Sequence, residues 1–204
     1  NPRRFARATI FSRSVIECLR QPLEDKEITV SRAFGRVTFP ASFTLIASTN
    51  PCPCGYLTHP TKQCVCQLNA ITRYKQKLSG PILDRFDLQV EVAPVEMEAL
   101  YDSKYTSEIS SVVRMRVEKA RNVQSKRFAN LPLVCNGEMD VREIGDVCEL
   151  DEPSRALLRN ASEKLSLSAR GYFKILKVAR TIADLELCEN IATSHIAEAL
   201  QYRF

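Results

Sequence analysis

The run Ser48-Thr49-Asn50-Pro51-Cys52-Pro53-Cys54-Gly55 constrains this chain more than any other segment. It follows Phe43-Thr44-Leu45-Ile46-Ala47, an apolar stretch that reads as a buried strand. The strand therefore ends near a carboxamide, and the Cys/Pro/Gly cluster stops it from continuing. Further on, Leu78-Ser79-Gly80-Pro81-Ile82-Leu83-Asp84-Arg85-Phe86-Asp87 leads into residues 88–92, which read as a second buried strand. The carboxyl ends of buried strands are where open α/β sheets carry their ligand chemistry.

The remaining pattern divides the chain near residue 95. Residues 1–10 are basic, show no period and are expected to fray. Residues 14–23 place Val15, Ile16, Leu19 and Leu23 at helical spacing, and Pro22 with Glu24-Asp25-Lys26 is expected to end that helix. Residues 28–39 predict a β-hairpin turning at Gly35, with Ile28 and Val30 alternating on one arm and Val37 and Phe39 on the other. Its tip carries Arg32, Phe34 and Arg36. Residues 67–77 read as a helix.

Past Ala93-Pro94-Val95-Glu96 only helical patterns occur. A helix over 107–127 places Ile109, Val113, Val117 and Ala120 on one face and Arg114, Lys119 and Arg121 on the other. A loop at 130–136 and short helices at 141–148 and 152–165 follow. A longer helix is N-capped by Ser168 and turns Ile175, Leu176, Ala179 and Ile182 inward. The last begins after Thr193 and carries Ile196, Ala199 and Leu200. The expected architecture is an α/β part over 1–95, with a β-hairpin and two parallel-sheet strands, and an all-α domain over 96–204.

Composition narrows the function classes. The net charge of +5 permits nucleic-acid or phosphate binding without demanding it. No apolar run reaches the roughly 18 residues of a membrane-spanning helix. The chain starts at Asn1, so a preceding segment is expected and a targeting signal is not legible.

Of the eight cysteines, Cys18, Cys135, Cys148 and Cys188 are scattered among apolar residues and read as small hydrophobes. Cys52, Cys54, Cys64 and Cys66 are two Cys-x-Cys pairs around a polar loop, a pattern suited to four thiolates on one zinc. The alternative is a metal-free or redox-labile loop. His59, inside the loop, reads as a solvated residue or a substitute ligand.

Three polar residues stand out individually. Asn50 has the donor and acceptor needed to orient a water and sense a γ-phosphate; the alternative is a turn-forming Asn before Pro51. Arg85 has the position of a cation that reaches a neighbouring subunit's phosphate, or else pairs with Asp84 or Asp87. Arg170 lies in the first turn of the longest helix of the second domain. A cation there opposes the helix dipole, so either a phosphate or solvent holds it. At the hairpin tip, Arg32 and Arg36 flank Phe34, a set suited to a phosphodiester backbone and a stacked base, or simply an exposed turn.

The sequence contains no Gly-x-x-x-x-Gly-Lys-Ser/Thr loop, since none of its six glycines precedes a lysine. No apolar strand ending in an acidic pair precedes Ser14. By itself the chain lacks the groups that cradle β- and γ-phosphates, and it is expected to be inactive alone.

Several segments together resemble the magnesium-chelatase-like AAA+ ATPases of the ComM/YifB type. They are Leu19-Arg-Gln-Pro-Leu-Glu-Asp25, residues 28–40, Asn50-Pro-Cys-Pro-Cys-Gly-Tyr56, residues 78–87, Leu167-Ser-Ala-Arg170 with Ala179-Arg-Thr-Ile-Ala-Asp-Leu185, and Ala197-Glu-Ala-Leu-Gln-Tyr-Arg203. The resemblance implies the carboxyl-terminal part of a AAA+ core followed by a helical lid. The Walker A and B segments and an amino-terminal Lon-protease-like domain would lie outside this sequence. It implies roles for Asn50 as sensor 1, Arg85 as arginine finger, Arg170 as sensor 2, and 28–39 as the pre-sensor hairpin facing the pore of a hexameric ring.

The implied function of the intact protein is that of a cytoplasmic ATPase using ATP and magnesium. Its action would be DNA remodelling by branch migration in competence and recombination. The alternatives are a chelatase-type motor that remodels a protein partner for magnesium insertion, and a non-catalytic, zinc-stapled binding module. No membrane is implied.

Overall fold

The computed structural model describes residues 4–7 as backbone, and residues 11–93 and 108–203 in full. It divides into two compact units, Asn1–Phe86 and Asp87–Phe204. The composition change at 94–96 and the expected helix start at 107 lie outside the described residues.

The first unit begins with β1 (Arg4–Arg7), which pairs in parallel with β4 (Leu45–Ser48), Phe5 opposite Ile46 and Ala6 opposite Ala47. The fraying expected for residues 1–10 is thus corrected over these four. A short basic segment has no apolar alternation to betray it, and the ladder to β4 supplies what the local sequence does not. β4 itself is only half-buried, with alternate residues exposed, rather than fully buried.

A single helix over 14–23 is also corrected. The chain forms α1 (Arg13–Glu17) and α2 (Arg20–Asp25). A proline ring clashes with the carbonyl four residues back, so an unbroken helix would set Pro22 against Cys18. The break at Cys18 and Leu19 places Pro22 in the first turn of α2, where it is tolerated; it opens the second helix rather than ending the first. Lys26 closes α2 in the left-handed conformation at φ 57°.

The hairpin forms as expected. β2 (Glu27–Arg32) and β3 (Gly35–Pro40) are antiparallel, with Ile28 opposite Phe39, Val30 opposite Val37, and Arg32 opposite Gly35 across Ala33 and Phe34. The Thr29 and Thr38 hydroxyls meet at 3.0 Å across the ladder. The cysteine loop, α3 (Leu68–Lys75) and α4 (Gly80–Leu83) complete the unit. Ser79 caps α4, accepting from the Ile82 amide and donating to Glu17 at 2.5 Å. Among the described residues of the unit, Ile16, Pro22, Cys52 and Ile82 are buried.

Residues 88–92 are not a strand, which corrects the second buried strand of the sequence reading. Leu88, Val90 and Val92 are all exposed. A parallel strand needs a ladder neighbour, and the segment pairs with no strand among the described residues. It is tied instead to the helical unit: Lys174 pairs with Asp87 at 2.8 Å, and the Gln89 amide donates to the Tyr202 carbonyl at 3.0 Å. Two parallel strands do exist, but β1 is the second of them.

The second unit is helical: α5 (Ser110–Arg127), α6 (Val141–Val147), α7 (Glu152–Lys164), α8 (Ala169–Leu185) and α9 (Thr193–Gln201), with a 3₁₀ turn at Asn136–Glu138. Side-chain caps fix three starts. Asp140 and Glu143 form a capping box at α6, Asp151 receives the Ser154 amide at α7, and Ser168 receives the Gly171 amide at α8.

Helix α8 is central. Ile175, Leu176, Ala179 and Ile182 are all buried, packed with Phe128, Met139, Ile144, Leu158, Ile196 and Ala199. Helix α5 differs from expectation, because Ile109 and Val117 are exposed and its buried residues are Ala120 and Gln124. Its carboxyl-terminal half meets α8 through polar side chains, so the apolar stripe alone misplaces its inner face. Among the described residues no helix is long and apolar enough to cross a membrane.

Candidate functional site

The four cysteines converge. The Sγ atoms of Cys52, Cys54, Cys64 and Cys66 all lie within 4.8 Å of one another. Three edges measure 3.3 Å (Cys52 to Cys54), 3.7 Å (Cys52 to Cys64) and 3.5 Å (Cys54 to Cys64). A disulfide needs about 2.05 Å, so these are free thiols. Four sulfurs at about 2.3 Å from a tetrahedral zinc stand about 3.8 Å apart, close to the spacing here. The set is chemically and geometrically able to hold a thiophilic metal.

Backbone amides point at the sulfurs as well. The Cys54 N–H donates to Cys66 Sγ at 3.4 Å. The Tyr56 amide donates to Cys54 and, against the cost of burial, brings its thiol down to about 6. At Cys64 the Cys66 amide also favours the thiolate, but burial and the neighbouring thiols push the group up to about 12. One thiol is thus prepared for ionisation while its neighbour resists it, as expected of titrating groups this close to one another.

Two local features build this knuckle. The Gly55 amide donates to the Cys52 carbonyl at 3.1 Å, and Gly55 sits at φ 83°, a conformation that side-chain-bearing residues avoid. His59 is not a ligand: its Nδ1 accepts the Thr61 and Lys62 amides at 3.2 and 3.1 Å, which braces the loop instead.

Asn50 lies two residues past β4 and is exposed. Its carboxamide makes no hydrogen bond among the described residues. It lies against the cysteine turn, with Nδ2 3.5 Å from where a Cβ on Gly55 would stand. The fold therefore brings Asn50 and the cysteine cluster together.

Arg85 is held by two groups of its own unit. Its side chain is largely buried, and its guanidinium donates to Glu24 at 2.5 Å and to the Pro81 carbonyl at 2.6 Å. Glu24 was not legible as its partner, since nothing local links residues 61 apart. Arg32, Phe34 and Arg36 are exposed at the hairpin tip, with Phe34 wholly so. Arg170 is exposed in the first turn of α8, in the other unit.

The sequence reading also missed a buried polar cluster in the helical unit. Asp184, fully buried, accepts from Arg127 (2.5 and 2.8 Å), Asn136 (2.7 Å), Gln124 (3.2 Å) and Arg180 (3.2 Å). The available signal was an Arg180/Asp184 pair at i,i+4 spacing within an apolar helix face. A second group, Glu186, Cys188 and His195, has metal-like spacing but another use. The Ala192 amide donates to His195 Nδ1 at 2.9 Å, so Nε2 carries the proton and donates to Glu186 at 3.1 Å. Both ring nitrogens are engaged, Nδ1 at the start of α9 and Nε2 on the residue that closes α8.

Comparison with known proteins defines the class. Residues 6–100 match the family model described as magnesium chelatase, subunit ChlI, and residues 107–203 match its C-terminal counterpart. The chain belongs to this magnesium-chelatase-like family of AAA+ ATPases, and its architecture is that of a partial AAA+ core followed by a helical lid.

Within the family it is of the ComM/YifB type. It is 42% identical to the competence protein ComM of Haemophilus influenzae over 95% of this chain and 37% of that protein. It is 37% identical to the uncharacterized protein YifB of Escherichia coli, over 95% of this chain and 37% of that one. To the uncharacterized protein Rv2897c of Mycobacterium tuberculosis it is 35% identical, over 94% and 37%. The chain thus spans little more than a third of the length of these relatives.

Proposed function

We propose that this chain supplies the γ-phosphate-sensing and lid portion of a ring-forming ATPase that couples ATP hydrolysis to DNA remodelling by branch migration. In this reading Asn50 orients the attacking water, Arg85 acts in trans as the arginine finger, and Arg170 acts in cis from the lid. ATP and magnesium serve the full-length protein, a cytoplasmic homo-oligomeric ring, taken as a hexamer. Arg32, Phe34 and Arg36 meet the DNA, and one zinc on Cys52, Cys54, Cys64 and Cys66 staples the loop after β4. The AAA+ core belongs to residues 1–95 and the lid to residues 96–204.

The observation that carries this reading is the exposed, unengaged Asn50 carboxamide at the carboxyl end of a parallel strand, in a chain of this ATPase family. The competence role named for the Haemophilus relative supports DNA as the substrate. The test is ATP turnover by a protein of the relatives' full length carrying this segment, with and without branched DNA. Strong stimulation is the expected result. Turnover indifferent to DNA would overturn the DNA reading. It would favour the chelatase-type reading, in which the motor remodels a protein partner for magnesium insertion; the family description, magnesium chelatase, is in keeping with it.

A further inference from the structure

We propose that metal occupancy of the four-cysteine site sets the position of the Asn50 carboxamide, so that the site is a positioning device for the phosphate-sensing residue as well as a staple. This deepens the zinc reading above and rests on it. The metal would be a thiophilic divalent cation held by four thiolates, with zinc as the first candidate.

Asn50 is fixed on one side by β4, whose last residue, Ser48, pairs with Arg7. On the other side Pro51 leads straight to Cys52, which is fully buried. The Asn50 side chain rests on Gly55, at 3.5 Å for Nδ2 and 3.9 Å for Cγ from a notional Cβ.

Gly55 owes its position to the same turn that gathers the sulfurs. Its amide bonds the Cys52 carbonyl, the amide of Cys54 before it bonds Cys66 Sγ, and the amide of Tyr56 after it bonds Cys54. The floor under Asn50 is therefore part of the metal knuckle. A cation shared by the four thiolates offsets the repulsion between sulfurs this close and so holds the turn, with the N–H groups that point at them, closed. Asn50 is exposed and has no side-chain hydrogen bond of its own among the described residues, so nothing else holds its carboxamide in place.

The experiment uses this chain, reduced and isotope-labelled, with metal content measured by elemental analysis. The Asn50 side-chain amide signal is assigned by its loss in Asn50→Asp. We expect one zinc per chain. Stripping it with a chelator should shift the Asn50 amide signal and adding zinc back should restore it, while the Asn136 amide, buried in the helical unit, stays fixed. Gly55→Ala strains the turn at φ 83°, so it should weaken zinc retention and shift the Asn50 signal together. If zinc binds and leaves without moving the Asn50 signal, the positioning role is overturned and the metal site stands. If the reduced chain takes up no zinc, the metal reading fails and the positioning role fails with it.

Discussion

The guanidinium of Arg85 is clamped between the Glu24 carboxylate, at 2.5 Å, and the Pro81 carbonyl, at 2.6 Å. The clamp joins the end of α2 to the turn of α4, two segments distant in sequence. An arginine that serves a neighbouring subunit must be presented in a fixed direction, and a carboxylate with a backbone carbonyl does that better than solvent. If Arg85 is the finger, its loss should separate folding from function. Arg85→Ala is expected to cost this chain about 1–3 kcal/mol in denaturant unfolding, since it removes a largely buried side chain with its charge-assisted hydrogen bond and leaves Glu24 near solvent. In a protein of the relatives' full length the same change should lower ATP turnover about 10³-fold or more. Near-normal turnover would remove Arg85 from the mechanism.

Asp184 anchors the helical unit, and its loss should be felt in stability alone. Burial would raise its pKa, but bonds from Arg127 and Asn136, with the charges of Arg127 and Arg180, hold it below the usual carboxylate range. Asp184→Asn keeps the shape but leaves Arg180 buried without a countercharge, which should cost about 3–5 kcal/mol. Thermal unfolding of the variant should fall by about 10 °C or more. The pH dependence has a fixed sign. A carboxylate depressed in the folded state contributes its stability above the unfolded pKa, and that contribution is lost as pH falls through the folded pKa. The wild-type unit should therefore hold down to the ordinary carboxylate range and weaken only below it. The Asn variant should lack that acid-dependent loss.

How far the sequence could be read follows from where its signals are local. The hairpin was legible because Ile28, Val30, Val37 and Phe39 alternate about Gly35, and the α8 face because Ile175, Leu176, Ala179 and Ile182 recur at helical spacing. The cysteine cluster was legible because its ligands lie within one loop. What escaped depends on partners distant in sequence. β1 exists through its ladder to β4, and residues 88–92, apolar enough for a strand, have no ladder to join among the described residues. Glu24 reaches Arg85, and Asp184 gathers Arg127 and Asn136, by tertiary packing that no local pattern encodes.

The cysteine loop and the helical unit should respond separately to loss of the metal site. Cys64→Ser removes one of four ligands, from a site more than forty residues before the first described residue of α5. Zinc content is expected to fall and proteolytic cleavage within residues 55–63 to rise. The thermal transition of the helical unit should stay put, because its core of Phe128, Leu158, Ile175 and Ile196 includes none of the four cysteines. A parallel collapse of that transition would show that the cysteine site supports the whole chain rather than the loop.

The hairpin tip is the most exposed of the proposed contacts and so the easiest to test without disturbing the fold. Arg32 and Arg36 are exposed and make no side-chain hydrogen bond among the described residues, and Phe34 projects fully into solvent. Substituting them should leave thermal unfolding unchanged. If both arginines neutralise phosphates, Arg32→Ala with Arg36→Ala should weaken branched-DNA binding about equally across sequences. Because each lost phosphate contact releases one fewer counterion, the log–log salt slope should fall by about 2. Phe34→Ala should instead weaken binding about tenfold or more with little change in the salt slope, since stacking carries no counterion term. Equilibrium binding titrations across a range of salt concentrations separate the two effects. An unchanged affinity and slope in the double arginine variant would make the hairpin ordinary surface and move the search for a DNA contact elsewhere.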